Sequence, residues 1–109
     1  MKVSVIIPTL NEESVIGRTL EDLHAHFPYE VIVADGGSTD HTCEIASPHA
    51  SILRAPRGRA NQMNYGASLA KGDIFLFLHA DTLLPANGLE LIREQVKKDW
   101  MDFLLSSQG

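Results

Sequence analysis

Apolar and polar positions follow two alternating periods along this chain. Val3, Val5, Ile6 and Ile7 form a short, almost continuous apolar run. So do Val31, Ile32 and Val33, and later Ile74, Phe75, Leu76, Phe77 and Leu78. Runs of this length, rich in β-branched and aromatic side chains, predict strands buried on both faces, as parallel sheets require. A weaker run, Ser51–Ala55 with Ile52 and Leu53, predicts one more strand.

Helical spacing fills the intervals. Val15, Ile16, Leu20, Leu23 and Phe27 recur on one face until Pro28 stops the pattern. Asn11 is expected to cap this helix, with Glu12 and Glu13 in a first turn whose positive end favours acids. Ser38 or Thr39 is expected to cap a short helix through Ile45 and Ala46, ended by Ser47-Pro48. Ala60, Met63, Ala67 and Ala70 mark a third helix, closed by Gly72, in which Asn64 and Gly66 suit close packing. Pro85 fits the first turn of a fourth, striped by Leu89, Ile92 and Val96, with Glu94 four residues before Lys98.

The order is β-α-β-α-β-α-β-α with short connections. It predicts an α/β fold: an open, mostly parallel sheet with flanking helices and right-handed crossovers. Residues 1–100 make one domain. In residues 101–109, Phe103, Leu104 and Leu105 give way to Ser106-Ser107-Gln108-Gly109, and a poorly specified tail is expected, or the place where a longer domain is cut.

Composition narrows the function classes. The 109 residues carry nine basic and fourteen acidic side chains, a net charge of −5, which argues against nucleic acid or an anionic membrane as partner. A single cysteine, Cys43, excludes an intrachain disulfide and a multi-cysteine zinc site. The apolar start is interrupted by Pro8, Asn11, Glu12 and Glu13, too early for a signal peptide or a membrane span of about 20 residues. A cytoplasmic protein without stable membrane insertion is the expectation.

Ligands of open parallel sheets bind beyond the carboxyl ends of the strands. There the sequence places Pro8, Thr9, Asn11 and Glu12, then Asp35 with Gly36-Gly37-Ser38, then Arg57 and Arg59, then His79 and Asp81. Each has an ordinary structural alternative: Asp35 as a turn former, Asp81 as a loop stabiliser, the arginines as solvated charges, His79 as strand-end packing. Together they place two carboxylates, two guanidiniums and a histidine on one edge. No G-x-x-x-x-G-K-[ST] loop, G-x-G-x-x-G turn or G-x-S-x-G elbow is present, and two glutamates after the first strand would repel a pyrophosphate there. A receiver-like signalling domain is disfavoured too, since no lysine follows a late strand to complete an acidic phosphate site.

A ligand with a nucleoside end and a diphosphate end suits what remains. Asp35 can accept from a base N–H or a ribose hydroxyl. Asp81 can bind a divalent cation that also takes phosphate oxygens, and Arg57 and Arg59 can add positive charge to the same oxygens.

The segments Val3-Ser-Val-Ile-Ile-Pro-Thr-Leu-Asn-Glu-Glu13, Val31-Ile-Val-Ala-Asp-Gly-Gly-Ser-Thr-Asp40, Gly58-Arg-Ala-Asn-Gln-Met-Asn64 and Gly72-Asp-Ile-Phe-Leu-Phe-Leu-His-Ala-Asp-Thr82 resemble the family-2 glycosyltransferases of GT-A fold. The resemblance covers roughly residues 1–95. Its Gly-Arg-Ala and Leu-His-Ala-Asp-Thr segments look most like a small bacterial branch associated with arsenosugar biosynthesis. It implies a Rossmann-like half of the GT-A fold that binds a nucleotide-diphosphate sugar, commonly a UDP-sugar. It also implies inverting transfer assisted by Mg²⁺ or Mn²⁺. Thr9, Asn11 and Glu12 would then line the nucleoside pocket, Asp35 would contact the base, and Arg59 would lie near base or diphosphate. Pro8 and Arg57 stand beside them as substrate-binding candidates from their place past the strand ends. Asp81 matches the last acid of the family's Asp-x-Asp motif, the metal ligand, while His79 stands where the first acid is expected. Inverting members take their general base from the acceptor half. After Asp81 the only acids are Glu90, Glu94, Asp99 and Asp102, so no residue of this chain is assigned that role. The alternative is a non-catalytic or truncated module that binds nucleotide sugar without turning it over. An open sheet edge would favour a homo-oligomer.

Overall fold

The computed structural model describes residues 1–107. Its elements are β1 (Val3–Thr9), α1 (Ile16–His24), β2 (Glu30–Asp35), α2 (Thr42–Ala46), β3 (Ser51–Arg54), α3 (Arg59–Leu69), β4 (Ile74–Phe77) and α4 (Gly88–Ser107). The four strands pair in parallel in the order β3-β2-β1-β4, so the fold is the α/β sheet that the alternating periods predict.

Strand parity sorts the two faces. Val3, Val5 and Ile7 of β1, with Val31 and Val33 of β2, pack with Ile16, Leu20 and Leu23 of α1, Ala46 of α2 and Leu89 of α4. Most of these are fully buried, and each such aliphatic side chain contributes about 1.5–3 kcal/mol. The other face carries Ile6 and Ala34, against which Gly66 of α3 lies so closely that an added Cβ would sit 2.6 Å from Ile6 Cγ2. Gly66 therefore does the packing that its spacing suggests, whereas Asn64 is exposed. The alanine stripe is not α3's inner face. Its buried residues are Gln62 and Gly66, because the helix approaches the sheet on its smallest side chain.

Several local expectations are corrected. Asn11 does not cap α1; it adopts a left-handed φ of 53°, and the helix starts one turn later, after Val15. Glu12 and Glu13 precede the helix, with the Glu12 carbonyl accepting from Val15 and Ile16 N–H. Phe27 lies beyond the helix at φ 54° and 82% exposed, because α1 has already ended at His24. Neither Ser38 nor Thr39 caps α2; the Asp40 carboxylate accepts from Thr42 N–H at its start. Pro85 opens a turn ahead of α4, its carbonyl accepting from Gly88 N–H, and is not in the helix.

β4 is a sheet edge buried on one face only. Phe75 and Phe77 are 43% and 44% exposed, since α3 covers β1 and β2 and does not extend over β4. α4 continues through residues 101–107, where no clear element is expected, and carries Trp100, Met101, Phe103 and Leu105 exposed. Gln108 and Gly109 lie outside the described residues. No described helix is long and apolar enough to cross a membrane.

Candidate functional site

Pro8 determines where the sheet opens. In β1, the Ile6 carbonyl points to β4 and accepts from Leu78 N–H at 3.0 Å, whereas the Thr9 carbonyl points to β2 and accepts from Gly36 N–H at 3.0 Å. By that alternation the missing N–H of Pro8 faces β4, just past Phe77, the last β4 residue in register. β4 diverges there, and a cleft opens between the ends of β1 and β4. It encloses about 310 Å³ and is lined by Pro8, Thr9, Leu10, Glu12, Arg59, Gln62, His79, Ala80 and Asp81. That is at the small end of the range for ligand sites, roughly 300–1,000 Å³.

The strand alternation of β4 persists for four residues beyond it. Leu78 and Ala80 stay buried while His79 and Asp81 are exposed, so the latter two share the side nearer α3. Thr19 of α1 anchors the segment from beneath, donating its hydroxyl to the buried Ala80 carbonyl. From α3, of which it is the first residue, Arg59 reaches across the cleft. Its terminal nitrogen lies 2.9 Å and 2.6 Å from the two ring nitrogens of His79. A guanidinium has only donors, so this contact is a hydrogen bond when His79 is neutral and offers a lone pair. Glu12 faces the same space, leaving a cleft with one guanidinium, one imidazole and two carboxylates.

Asp35 is not in the cleft. It continues the Val31–Val33 parity toward α1 and α2 and is fully buried. Oδ1 accepts from the hydroxyls of Thr9 at 2.8 Å and Ser38 at 2.6 Å. Oδ2 accepts from the N–H groups of Gly37 at 3.0 Å and Ser38 at 2.8 Å. Burial pushes the Asp35 carboxyl upward, but the bonds from Ser38, Thr9 and Gly37 outweigh it and hold the group below the usual carboxylate range. Burial and the Asp35 charge in turn push the Cys43 thiol up, which favours its protonated form.

Asn11 and Arg57 also lie outside the cleft lining. Asn11 Oδ1 accepts from Thr39 N–H at 2.8 Å, and its own N–H donates to Ser38 Oγ at 2.8 Å. Glu12 N–H donates to Thr42 Oγ1, and Glu13 N–H to Asp40. Glu13 accepts from His41 N–H and meets the His41 ring at 3.1 Å, a bond that, with the Glu44 charge, raises the His41 pKa. The loop after β1 is thus zipped to the loop after β2. Arg57 donates Nε–H to the Gly36 carbonyl at 3.3 Å, on β2's side.

Six of the nine expected residues therefore share the cleft: Pro8, Thr9, Glu12, Arg59, His79 and Asp81. Leu10, Gln62 and Ala80 line it as well. Of these, Gln62 had a legible signal, lying four residues from both Gly58 and Gly66 on the helix face of smallest side chains. Among the described residues no three His, Cys, Asp or Glu side chains converge as a metal cage. Asp81 can offer a single carboxylate to a cation that draws its other ligands from phosphate oxygens and water.

Comparison with known proteins gives a consistent answer. Residues 4–108 match the family model described as Glycosyl transferase family 2. A PGL/p-HBAD biosynthesis glycosyltransferase of Mycobacterium bovis (strain BCG / Pasteur 1173P2) is 37% identical over 91 residues, covering 74% of this chain and 36% of that protein. A dolichol-phosphate mannosyltransferase of Pyrococcus furiosus is 33% identical over 111 residues, covering 89% of this chain and 30% of its own length. This chain thus spans about a third of the length of such curated relatives. Among solved structures, S. aureus TarS 1-349 superposes with a TM-score of 0.71 at 28% identity, covering 90% of this chain and 33% of that one. Glucosyl-3-phosphoglycerate synthase of Mycobacterium tuberculosis, in complex with Mn²⁺, UDP and glucosyl-3-phosphoglycerate, gives 0.67 at 26% identity, over 72% and 33%.

Proposed function

This chain belongs to glycosyl transferase family 2, with the fold of the N-terminal half of its GT-A members, and from that premise we propose that the β1–β4 cleft binds the nucleotide-diphosphate end of a UDP-sugar. The observation that carries this is the meeting of Arg59, His79 and Asp81 at the carboxyl edge of a parallel sheet. Residues 1–100 form the donor-binding domain. Pro8, Thr9 and Glu12 line its nucleoside end, and Arg59 supplies positive charge to the diphosphate. The loop that Asn11 and Asp35 order, with Arg57 beside it, frames the base side without lining the cleft.

Asp81 is the residue to hold Mg²⁺ or Mn²⁺, and a bound cation would neutralise charge on the departing diphosphate. Support comes from the M. tuberculosis relative, which holds Mn²⁺ together with UDP. In inverting transfer the acceptor hydroxyl attacks the anomeric carbon as its bond to the diphosphate breaks, and a carboxylate takes the hydroxyl proton. The acids after Asp81, which are Glu90, Glu94, Asp99 and Asp102, all lie on α4, and none of them lines the cleft. Glu90 pairs with Arg93 at 3.5 Å, and Arg93 donates to the carbonyls of Met1 and Phe27, at the opposite edge of the sheet. That placement favours a second reading, a module that binds donor without turnover unless an acceptor-binding part supplies the base. Self-association through the open edges of β3 and β4 is a further expectation, checked by sizing in solution.

Calorimetric titration with UDP, GDP and dTDP, each with and without Mn²⁺, tests the donor site directly. Mn²⁺-dependent UDP binding that Asp81→Asn loses is the expected result. A folded protein that binds none of the three nucleotides would refute it. Sugar transfer or donor hydrolysis by this chain would decide against the non-catalytic alternative.

A further inference from the structure

Gln62 is 5% exposed, and its amide reaches three elements at once. Nε2 donates to the Thr9 carbonyl at 2.9 Å and to the Ala34 carbonyl at 2.8 Å, which uses both amide hydrogens. Oε1 accepts from Gly58 N–H at 3.2 Å. Two carbonyls can only accept, so the amide has one permitted orientation. It bridges the ends of β1 and β2 to the residue that precedes α3.

The space for this amide exists because residue 36 has no side chain. A Cβ on Gly36 would lie 2.7 Å from Gln62 Oε1, 2.8 Å from Cδ and 3.1 Å from Nε2. Ala34 and Gly36 both fall on the α3 face by strand parity, and Gln62 fills the room they leave. Arg59 lies three residues before Gln62, at the start of the same helix. The depth at which the amide seats α3 therefore sets how far Arg59 extends toward His79.

We propose that Gln62 is a positioning residue of the donor cleft, locking the β1 and β2 ends to the start of α3, and that Gly36 is the condition for its seating. This rests on the reading of the cleft as a UDP site. Calorimetric titration with UDP on the unaltered chain, Gly36→Ala, Gln62→Met and the double variant tests it, at a temperature where circular dichroism shows every protein folded. Each single change should weaken UDP binding roughly tenfold. The double change should also cost roughly tenfold and not the hundredfold of independent sites, since the added methyl then displaces no hydrogen-bonded amide. Gln62→Glu is the second variant. Its carboxylate faces two carbonyls at neutral pH and regains one donor when protonated, so its UDP affinity relative to the unaltered chain should recover as pH falls. Single variants that bind UDP like the unaltered chain, losses that multiply, or no acid recovery in Gln62→Glu would overturn the proposal alone. An unaltered chain that binds no UDP would overturn the donor-site reading and this proposal with it.

Discussion

Replacing Asp35 by asparagine and by alanine separates a carboxylate that locks a loop from one that touches a ligand. Four groups donate to Asp35 at 3.0 Å or less, and they are of two kinds. The hydroxyls of Thr9 and Ser38 can rotate and accept instead of donating, whereas the N–H groups of Gly37 and Ser38 can only donate. Asparagine can therefore direct its oxygen to the two N–H groups and its amide nitrogen to the two hydroxyls. It loses charge assistance but leaves no partner orphaned, at a cost of about 1 kcal/mol. Alanine strands both N–H groups. At about 1–3 kcal/mol each, less what water recovers at exposed Gly37, the loss is about 2–4 kcal/mol. For a domain near 100 residues each kcal/mol moves the melting temperature by roughly 4–8 °C. Thermal unfolding of the two variants should thus separate clearly, with Asp35→Asn the milder. The pH profile is a second readout. Because the folded carboxyl lies below its unfolded value, the unfolded state binds more protons between the two values. The Asp35 contribution is then complete above the unfolded pKa and is lost as pH falls through the folded one. Asp35→Asn should lack that share of the acid-side loss, while Glu30 and Asp40, also lowered, retain theirs. UDP affinity should survive in Asp35→Asn. If asparagine abolishes UDP binding while stability stays near that of the unaltered chain, the carboxylate contacts ligand and the lock is not its role.

Two further outcomes are expected. Gly72→Ala should destabilise by about 1–3 kcal/mol in chemical denaturation, as overpacking does. Its Cβ would meet the Lys2 carbonyl at 2.8 Å and Ser4 N at 2.9 Å, backbone atoms that cannot turn aside, and an unchanged midpoint would contradict the packing. His41 should titrate above its ordinary value in an NMR pH series, and Glu13→Gln should return it toward that value. A raised folded pKa stabilises below the unfolded value and is lost as pH rises through the folded one, so the zipped loops should loosen on the alkaline side. A His41 titration indifferent to Glu13→Gln would contradict the pairing.

The element order was legible because it depends on period alone. Val3–Ile7 and Ile74–Leu78 are runs that no helix pattern explains, and Leu20 and Leu23 are spaced as no strand would be. Burial of β4 on both faces, which its apolar run predicts, fails for a related reason. An apolar run shows that a strand can be covered on both faces, and whether a helix lies over Phe75 and Phe77 depends on where α3 crosses. The caps failed differently. Asn11, Ser38 and Thr39 are good capping residues, but their side chains found partners 27 and 28 residues away in sequence, and local propensity carries no information about those.

Site residues divide along a line that the sequence already contained. Grouping everything past the strand ends pooled residues from both faces of the sheet. Parity accounts for three of them: Asp35 continues Val31 and Val33 toward α1, whereas Pro8 follows Ser4 and Ile6 toward α3, and His79 follows Phe75 and Phe77. Thr9 is the exception, sharing the Val5 and Ile7 parity and bonding Asp35 while still lining the cleft. On the α3 side the end of β2 offers only Ala34 and Gly36, which bring no chemistry of their own. Polar character there has to come from the helix, at a position one turn from its start and directed at the sheet. Gln62 is that position. A glutamine flanked at four-residue intervals by Gly58 and Gly66 is unusual on a helix face that must pack closely, because a long polar side chain between two glycines needs buried partners. The carbonyls of Thr9, which also accepts from Gly36 N–H, and of Ala34 supply them, so a cleft wall that strand propensity leaves blank is built by a helix side chain that helix propensity would place in solvent.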